Sequence, residues 1–208
     1  MSAPGAGALR EILETAQARG FLGPGDVGTQ LDHARAFAAT LGPPPRRFLD
    51  LGSGGGLPGL VLAALWPETP GVLLDAAARR VEFLEEACRR LRFGRRVAAL
   101  QARAEEAARR PELRAGFDLV TARAFGPPAV TAECAAGFLE PGGRLAVSEP
   151  PDGREGRWPT ESVAVLGFGP AELRQSAGAS VALLTLPGAV AERWPRRTGV
   201  PAKRPLWR

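Results

Sequence analysis

The chain has 208 residues, 45% of them hydrophobic and 24% charged, which is typical of a globular protein large enough to bury a core. No apolar run approaches the roughly 20 residues that a membrane-spanning helix needs, and the N-terminus lacks a secretory signal pattern, so we expect a cytoplasmic protein without a membrane partner. The formal charge is +5 and Lys203 is the only lysine, which is compatible with an RNA partner and equally with compositional bias.

Two amphipathic helices are predicted at the start of the chain. Apolar residues recur at helical spacing over residues 9–16 and again over residues 26–41. Pro43-Pro44-Pro45 ends the second helix. We therefore expect a short N-terminal helical extension over residues 1–45 and a main domain over residues 46–190.

In the main domain, short apolar strands alternate with helices, which predicts a mostly parallel sheet with right-handed crossovers. Five strands are predicted at residues 47–51, 71–75, 97–100, 117–122 and 144–148. The predicted helices between them span residues 57–66, 77–91, 104–110 and 128–139. Two further apolar segments, at 162–168 and 180–186, predict a terminal antiparallel pair. The sequence thus predicts an α/β fold with seven strands.

A glycine loop, Asp50-Leu-Gly-Ser-Gly-Gly-Gly-Leu57, follows the first predicted strand. Its glycines, Gly52, Gly54 and Gly56, let the backbone turn and approach a ligand closely. Asp50 stands where a carboxylate could contact the positive amino-acid end of S-adenosylmethionine (SAM). Asp75 ends the second strand, where its carboxylate can accept both hydroxyls of a ribose. These features predict a SAM-binding site.

The same loop also matches the dinucleotide pattern G-x-G-x-x-G as Gly54, Gly56 and Gly59, a weak signal by itself. Asp75 would serve either cofactor, whereas a pyrophosphate has no use for a carboxylate at Asp50. The loop therefore favours SAM, and a nicotinamide dehydrogenase remains an alternative.

Other strand ends should face the same crevice, because ligands of open α/β sheets bind beyond the carboxyl ends of the strands. Ala104 and Glu105 follow the third strand, and Arg123 follows the fourth. Glu105 is equally consistent with an acid that stabilises the first turn of a helix.

The chain resembles the RsmG (GidB) family, whose members methylate guanine N7 in bacterial 16S ribosomal RNA. The resemblance rests on four segments: Phe48-Leu-Asp-Leu-Gly-Ser-Gly-Gly-Gly-Leu-Pro-Gly-Leu60, Arg103-Ala-Glu-Glu106, Phe117-Asp-Leu-Val-Thr-Ala-Arg-Ala-Phe125 and the tail from Trp194 to Leu206. It implies a class I SAM-dependent methyltransferase with a Rossmann-like fold and 16S rRNA or the small ribosomal subunit as partner. Carried over by position, the SAM contacts of the family fall on Gly52, Leu57, Ala104, Glu105 and Arg123.

The chain departs from the family pattern at three places. It lacks a Leu-Asn-Leu-Thr stretch near its start, and Ser148-Glu149-Pro150 stands where the family has a lysine and a glycine. The helix expected before the sixth strand also looks shortened to a loop over residues 151–160. These departures keep a small-molecule methyltransferase open as an alternative, beside a catalytically silent module that binds SAM or RNA.

Methylation of guanine N7 needs no general base, because N7 already carries a free lone pair. Alignment alone can supply on the order of 7–11 kcal/mol of barrier reduction in favourable cases. The chain has no tyrosine and one histidine, His33, and Cys88 and Cys134 lie in apolar helical stretches, so we expect no metal site. Arg123 is the candidate catalytic residue, acting as an orienting group.

A basic tail over residues 191–208 is interleaved with tryptophans, which suits unpaired RNA with stacked bases and exposed phosphates. The candidate substrate-binding residues in this tail are Arg196, Arg197, Lys203 and Arg204. An extended, solvated terminus would have the same composition. We expect a monomer.

Overall fold

The computed structural model describes residues 6–150 and 156–208, which form one seven-stranded sheet flanked by helices. The strands are β1 (Phe48–Leu51), β2 (Gly71–Asp75), β3 (Val97–Gln101), β4 (Phe117–Ala122), β5 (Leu139–Glu149), β6 (Glu172–Ser176) and β7 (Ala179–Thr185). The helices are α1 (Ala6–Ala18), α2 (Val27–Thr40), α3 (Gly59–Leu65), α4 (Ala78–Arg90), α5 (Ala104–Ala107), α6 (Pro128–Ala136), α7 (Thr160–Ala164) and α8 (Val200–Lys203). Within these two ranges, no helix is long and apolar enough to cross a membrane.

The strands lie in the order β3-β2-β1-β4-β5-β7-β6. The first five are parallel to one another, whereas β7 runs antiparallel to both β5 and β6. The mostly parallel seven-stranded α/β sheet predicted from the sequence is therefore confirmed. The strand order reverses between β1 and β4, and a crevice opens beyond their carboxyl ends, as it does at the switch point of doubly wound sheets.

Two apolar cores cover the two faces of the sheet and run across the predicted boundaries at residues 45 and 190. One core joins Ile12 and Phe37, from α1 and α2, to Leu73 of the sheet. The other joins Trp194 of the tail to Phe138 and neighbouring strand residues. Both terminal segments are thus packed against the sheet that positions the crevice.

The terminal antiparallel pair was predicted at the wrong place in one of its strands. Residues 162–168 lie mostly in and after α7, where Val163 and Leu166 are buried at helical spacing and Pro159 precedes the first turn. The strand that pairs with β7 is instead Glu172–Ser176, a polar edge strand without the apolar alternation that would reveal it. Residues 151–155 of the predicted loop lie outside the described residues.

The fifth strand also begins earlier than predicted. β5 starts at Leu139, so the turn Pro141-Gly-Gly143 lies inside the strand, and the pairing with β4 shifts register between Phe117 and Leu119. A strand with such an irregularity accommodates extra residues, while its hydrogen-bonded pairing with the neighbouring strand continues on either side. The helix before it, α6, correspondingly ends at Ala136.

Candidate active site

The glycine loop leaves β1 at the point where the strand order reverses. The backbone N–H groups of Gly52 and Ser53 both donate to the carbonyl of Leu74, at 2.9 Å, which fixes the loop against β2. Gly52 has a φ of +71°, and a Cβ there would lie 2.6 Å from Cδ2 of Phe125. Position 52 therefore requires glycine for both its backbone conformation and its space.

The carboxylate of Asp50 lies behind the loop and is 1% exposed. Its Oδ1 accepts a hydrogen bond from Thr121 Oγ1 at 2.8 Å, and its Oδ2 accepts one from the backbone N–H of Gly59 at 3.2 Å. Asp50 thus connects β1 to β4 and to the start of α3. Both oxygens are thus used within the protein, and the direct cofactor contact predicted for Asp50 stays a prediction.

Burial raises the pKa of Asp50 to about 6, against an ordinary 3.8, although the hydrogen bond from Thr121 opposes this shift. The folded state therefore holds the Asp50 proton more tightly than the unfolded state. Stability from this group is complete below pH about 4 and falls by on the order of 3 kcal/mol as the pH rises through about 6.

We expect Asp50→Asn to remove that loss, since the amide does not ionise. The free energy of unfolding, measured in urea at several pH values from about 4 to 7, should fall less steeply for the variant than for the parent protein. Parallel curves for the two proteins would contradict the assignment.

Asp75 lies at the end of β2, on the other side of the loop. Its Oδ2 accepts from the backbone N–H of Gly54 and its Oδ1 from that of Ala77, both at 2.9 Å. Arg80 Nη1 is 3.6 Å from Oδ2. A carboxylate has about four lone-pair sites, so Asp75 keeps the capacity to accept two ligand hydroxyls.

Three adjoining cavities form the crevice, and each is near the lower end of the roughly 300–1,000 Å³ typical of ligand pockets. The inner lobe, of about 280 Å³, is lined by residues that include Asp75, Ala104, Glu105, Cys134 and Ala202. The loop lobe, of about 350 Å³, is lined by residues that include Leu22, Gln30, Gly54, Leu57 and Arg123. The outer lobe, of about 290 Å³, is lined by residues that include Arg123, Phe125, Thr131, Glu149 and Arg157.

The three lobes meet at one residue. Ala124 lines all of them, with a φ of +55°, and Gly52 lines both the inner and the loop lobe. A left-handed conformation at a residue other than glycine stores strain, which persists where the surrounding structure imposes it. The predicted residues Gly52, Gly54, Leu57, Asp75, Ala104, Glu105 and Arg123 are therefore brought together, whereas Asp50 and Gly56 lie outside the lining.

Gly56 closes the loop onto the helix that follows. Its N–H donates to the carbonyl of Ser53 at 2.7 Å, and its own carbonyl accepts from the N–H of Leu60 at 2.8 Å. Gly56 thus has a role in the turn, and the cofactor contact predicted for it stays a prediction.

Arg123 lies between the loop lobe and the outer lobe. Its Nη2 donates to Gln30 Oε1 at 3.3 Å, whereas Nη1 is buried and has no hydrogen-bond partner among the described residues. Burial lowers the pKa of the guanidinium, and the Asp50 carboxylate partly opposes this shift. A buried donor without a partner beside a glycine loop fits a ligand carboxylate, such as the one that SAM carries at its amino-acid end.

The tail is packed against α5 and α6 and closes one side of the inner lobe. Glu105 Oε1 accepts from the backbone N–H of Gly199 at 2.8 Å, and Glu106 Oε1 accepts from Thr198 Oγ1 at 3.1 Å. These contacts place α8 so that Ala202 lines the lobe. Glu105 therefore combines a place in the lining with the attachment of the tail.

The substrate contact predicted for Arg196 stays a prediction, and its side chain is already paired within the protein. Its backbone N–H and its Nε both donate to Glu133 Oε1 at 2.8 Å, and its Nη2 donates to Oε2 at 2.5 Å. The Glu133 side chain is fully buried, so Arg196 neutralises an interior charge. Arg197, Lys203 and Arg204 are exposed, and none of them lines the crevice.

Several residues of the crevice, among them Gln30, Arg157 and Ala202, were missed from the sequence. Gln30 lies on the buried side of α2 beside Val27 and Leu31, so a polar residue on an apolar stripe was the available signal. Ala202 carries no chemical signal, because it enters the lining only through the packing of the tail.

Comparison with known proteins gives one consistent family. Residues 32–149 match the family model "GidB: rRNA small subunit methyltransferase G". The chain is 38% identical to "Ribosomal RNA small subunit methyltransferase G" from Thermotoga sp. (strain RQ2) over 164 residues, which are 76% of this chain and 71% of that protein. It is 35% identical over 187 residues to the protein of the same name from Symbiobacterium thermophilum, covering 85% of this chain and 76% of that one.

A solved structure confirms the fold. The O-methyltransferase from Bacillus cereus, solved in complex with SAH, superposes with a TM-score of 0.60 over 88% of this chain and 90% of that chain, at 15% sequence identity. At this low identity the likeness extends to the architecture alone.

Proposed function

The chain belongs to the GidB family of small-subunit ribosomal RNA methyltransferases, and from that membership we propose that it methylates guanine N7 in 16S ribosomal RNA. It is a SAM-dependent methyltransferase. The observation that carries the proposal is the three-lobed crevice, in which a buried, unpartnered Arg123 Nη1 lies beside the glycine loop. The described residues thus offer a site for the cofactor and an adjoining lobe for an acceptor base.

Residues of the inner and loop lobes would hold SAM, which supplies a methyl group on a positively charged sulfur. In this proposal Asp75, which lines the inner lobe, accepts hydrogen bonds from the ribose hydroxyls. Arg123, which lines the loop lobe, binds the carboxylate, and the positive φ angles of Gly52 and Gly54 support close approach of the loop backbone. With these assignments, the methyl group passes directly from SAM in the loop lobe to the acceptor in the outer lobe, beside Ala124.

The outer lobe fits an acceptor that needs no deprotonation. Among the residues that the structure describes, the titratable ones in its lining are Arg123, Arg157 and Glu149. Arginine stays protonated, and Glu149 is occupied by an ion pair with Arg157, so neither type is poised to remove a proton. A neutral nitrogen with a free lone pair, such as guanine N7, reacts in such a lobe by alignment alone.

The pairing of Glu149 also removes the main reason for preferring a small-molecule substrate. An unpaired acid at this end of the crevice would repel RNA phosphates. Here Arg157 Nε donates to Glu149 Oε2 at 2.6 Å, so the pair presents no net charge. We further propose that the protein acts as a cytoplasmic monomer.

The function is tested by incubating the protein with labelled SAM and small ribosomal subunits that lack the modification. We expect label in 16S RNA, recovered as 7-methylguanosine after nuclease digestion and mass spectrometry. Binding of subunits without any label in RNA would instead support a silent module. Label on another atom would reject the N7 assignment and keep the enzyme class.

The exposed basic residues of the tail should contribute to RNA affinity. We expect replacement of Arg197, Lys203 and Arg204 by glutamine to reduce the slope of log affinity against log salt by up to about 3, because each phosphate contact releases roughly one counterion. Affinity for small subunits would be measured in about 50–200 mM KCl, with SAM affinity as a check on folding.

In the control variant, glutamine replaces three arginines outside the tail, so the same positive charge is lost. These are Arg35, Arg89 and Arg95, which are exposed and do not line the crevice. An equal change of slope in the control would show that net charge, and not the tail, determines the salt dependence.

A further inference from the structure

An arginine that follows β5, Arg157, lines the outer lobe. Glu149 lies at the end of β5, opposite Ser180 of β7, with only 3% of its side chain exposed. Its Oε2 accepts from Arg157 Nε at 2.6 Å, and its Oε1 accepts from Trp158 Nε1 at 3.2 Å. Both carboxylate oxygens are therefore used, and the Arg157 side chain is held at the wall of the lobe.

The two Nη groups of Arg157 have no hydrogen-bond partner in the described part of the chain, residues 6–150 and 156–208, and 28% of the side chain is exposed. The backbone is fixed as well, because Trp207 Nε1 donates to the Arg157 carbonyl at 3.1 Å. Arg157 is thus an anchored guanidinium whose two Nη groups carry its unused hydrogen-bonding capacity.

We propose that Arg157 contacts the acceptor guanine through its O6 atom and that Glu149 is the positioning residue that holds Arg157 in place. This inference rests on the proposed function. The edge of guanine that carries N7 also carries O6, and both are acceptors. N7 must stay free to attack the methyl group, so O6 is the acceptor left for an Nη donor.

The same contact would select guanine over adenine. Adenine presents an amino group where guanine has O6, so two donors would face each other. Leaving a donor without a partner in the bound complex costs more free energy than the hydrogen bond itself contributes. Polar sites discriminate against the wrong substrate through this cost.

A base contact is favoured over a phosphate contact by charge. Arg157 is already neutralised by a carboxylate that is almost fully buried, so the pair has little attraction left for a distant phosphate. The lobe also carries the ring of Phe125 in its wall, against which a planar base can pack.

Arg157→Ala tests the assignment with small subunits as substrate. We expect kcat/KM to fall by roughly tenfold to a hundredfold, while the affinity for SAM and the salt slope of subunit binding stay unchanged. Arg157→Lys should not restore activity, because a lysine cannot hold Glu149 and the base at once. Glu149→Gln should show a smaller loss, mostly in kcat.

Arg35→Ala is the matched control, since Arg35 forms an exposed pair with Asp32 at 2.9 Å, and it should behave as the parent protein. Unchanged kcat/KM in Arg157→Ala would overturn the proposal. A salt slope reduced by about 1, with activity restored in Arg157→Lys, would assign the contact to a phosphate and overturn it too. If the parent protein methylates guanine N7 in small subunits, the proposed function stands whichever of these results the Arg157 variants give.

Discussion

Replacement of Arg196 by alanine should lower the free energy of unfolding by about 3–5 kcal/mol, because it leaves the Glu133 carboxylate buried without a cation. Glu133 accepts three hydrogen bonds from Arg196, and its side chain is fully buried. The backbone N–H of residue 196 would remain as the only one of these donors. A loss of this size corresponds to a melting temperature lower by roughly 6–20 °C.

Urea unfolding of both proteins at neutral pH measures the effect. Arg89→Ala, which breaks an exposed pair with Glu86, is the control and should cost no more than about 1 kcal/mol. Adding Glu133→Gln to Arg196→Ala should recover part of the loss, since the buried group is then neutral. A loss below about 1 kcal/mol for Arg196→Ala would show that the tail does not depend on this ion pair.

Asp75→Ala should weaken SAM binding by at least about a hundredfold. Two hydrogen bonds to a charged acceptor contribute on the order of 1.5–3 kcal/mol each, and the ribose would lose both. The substitution also removes the acceptor for the N–H of Gly54, so the loop loses one of its attachments to β2.

Calorimetric titration with SAM measures this change, and the circular dichroism spectrum checks that the variant is folded. Asp32→Ala, which removes an exposed carboxylate of α2, should bind SAM as the parent protein does. If a folded Asp75→Ala variant binds SAM within roughly threefold of the parent, the cofactor has been placed wrongly.

Sequence reasoning was most successful where the signal is local. β4 spans Phe117–Ala122 as predicted, because its apolar run is bounded by polar residues and turn residues. The glycine loop was located from its residue types and their spacing. Gly52, Gly54 and Gly56 all have positive φ angles, a conformation that favours glycine. Both features are determined by residues that lie close together in the sequence.

Contacts between distant parts of the chain could not be predicted from the sequence. The pairing of Arg196 with Glu133 is an example, because Glu133 is 63 residues away. The bond of Asp50 to Thr121, 71 residues away, is another, because it depends on β4 lying beside β1. The polar strand Glu172–Ser176 was not predicted, because only its pairing with β7 identifies it as a strand.

The shared wall at Ala124 constrains how the enzyme can diversify. Ala124 lines the inner and loop lobes, proposed for SAM, and the outer lobe, proposed for the acceptor, and its backbone is already in a conformation that larger side chains tolerate poorly. Any substitution there changes the room for both ligands together. A new acceptor specificity is therefore reached more readily from the far rim, where residues touch one ligand only.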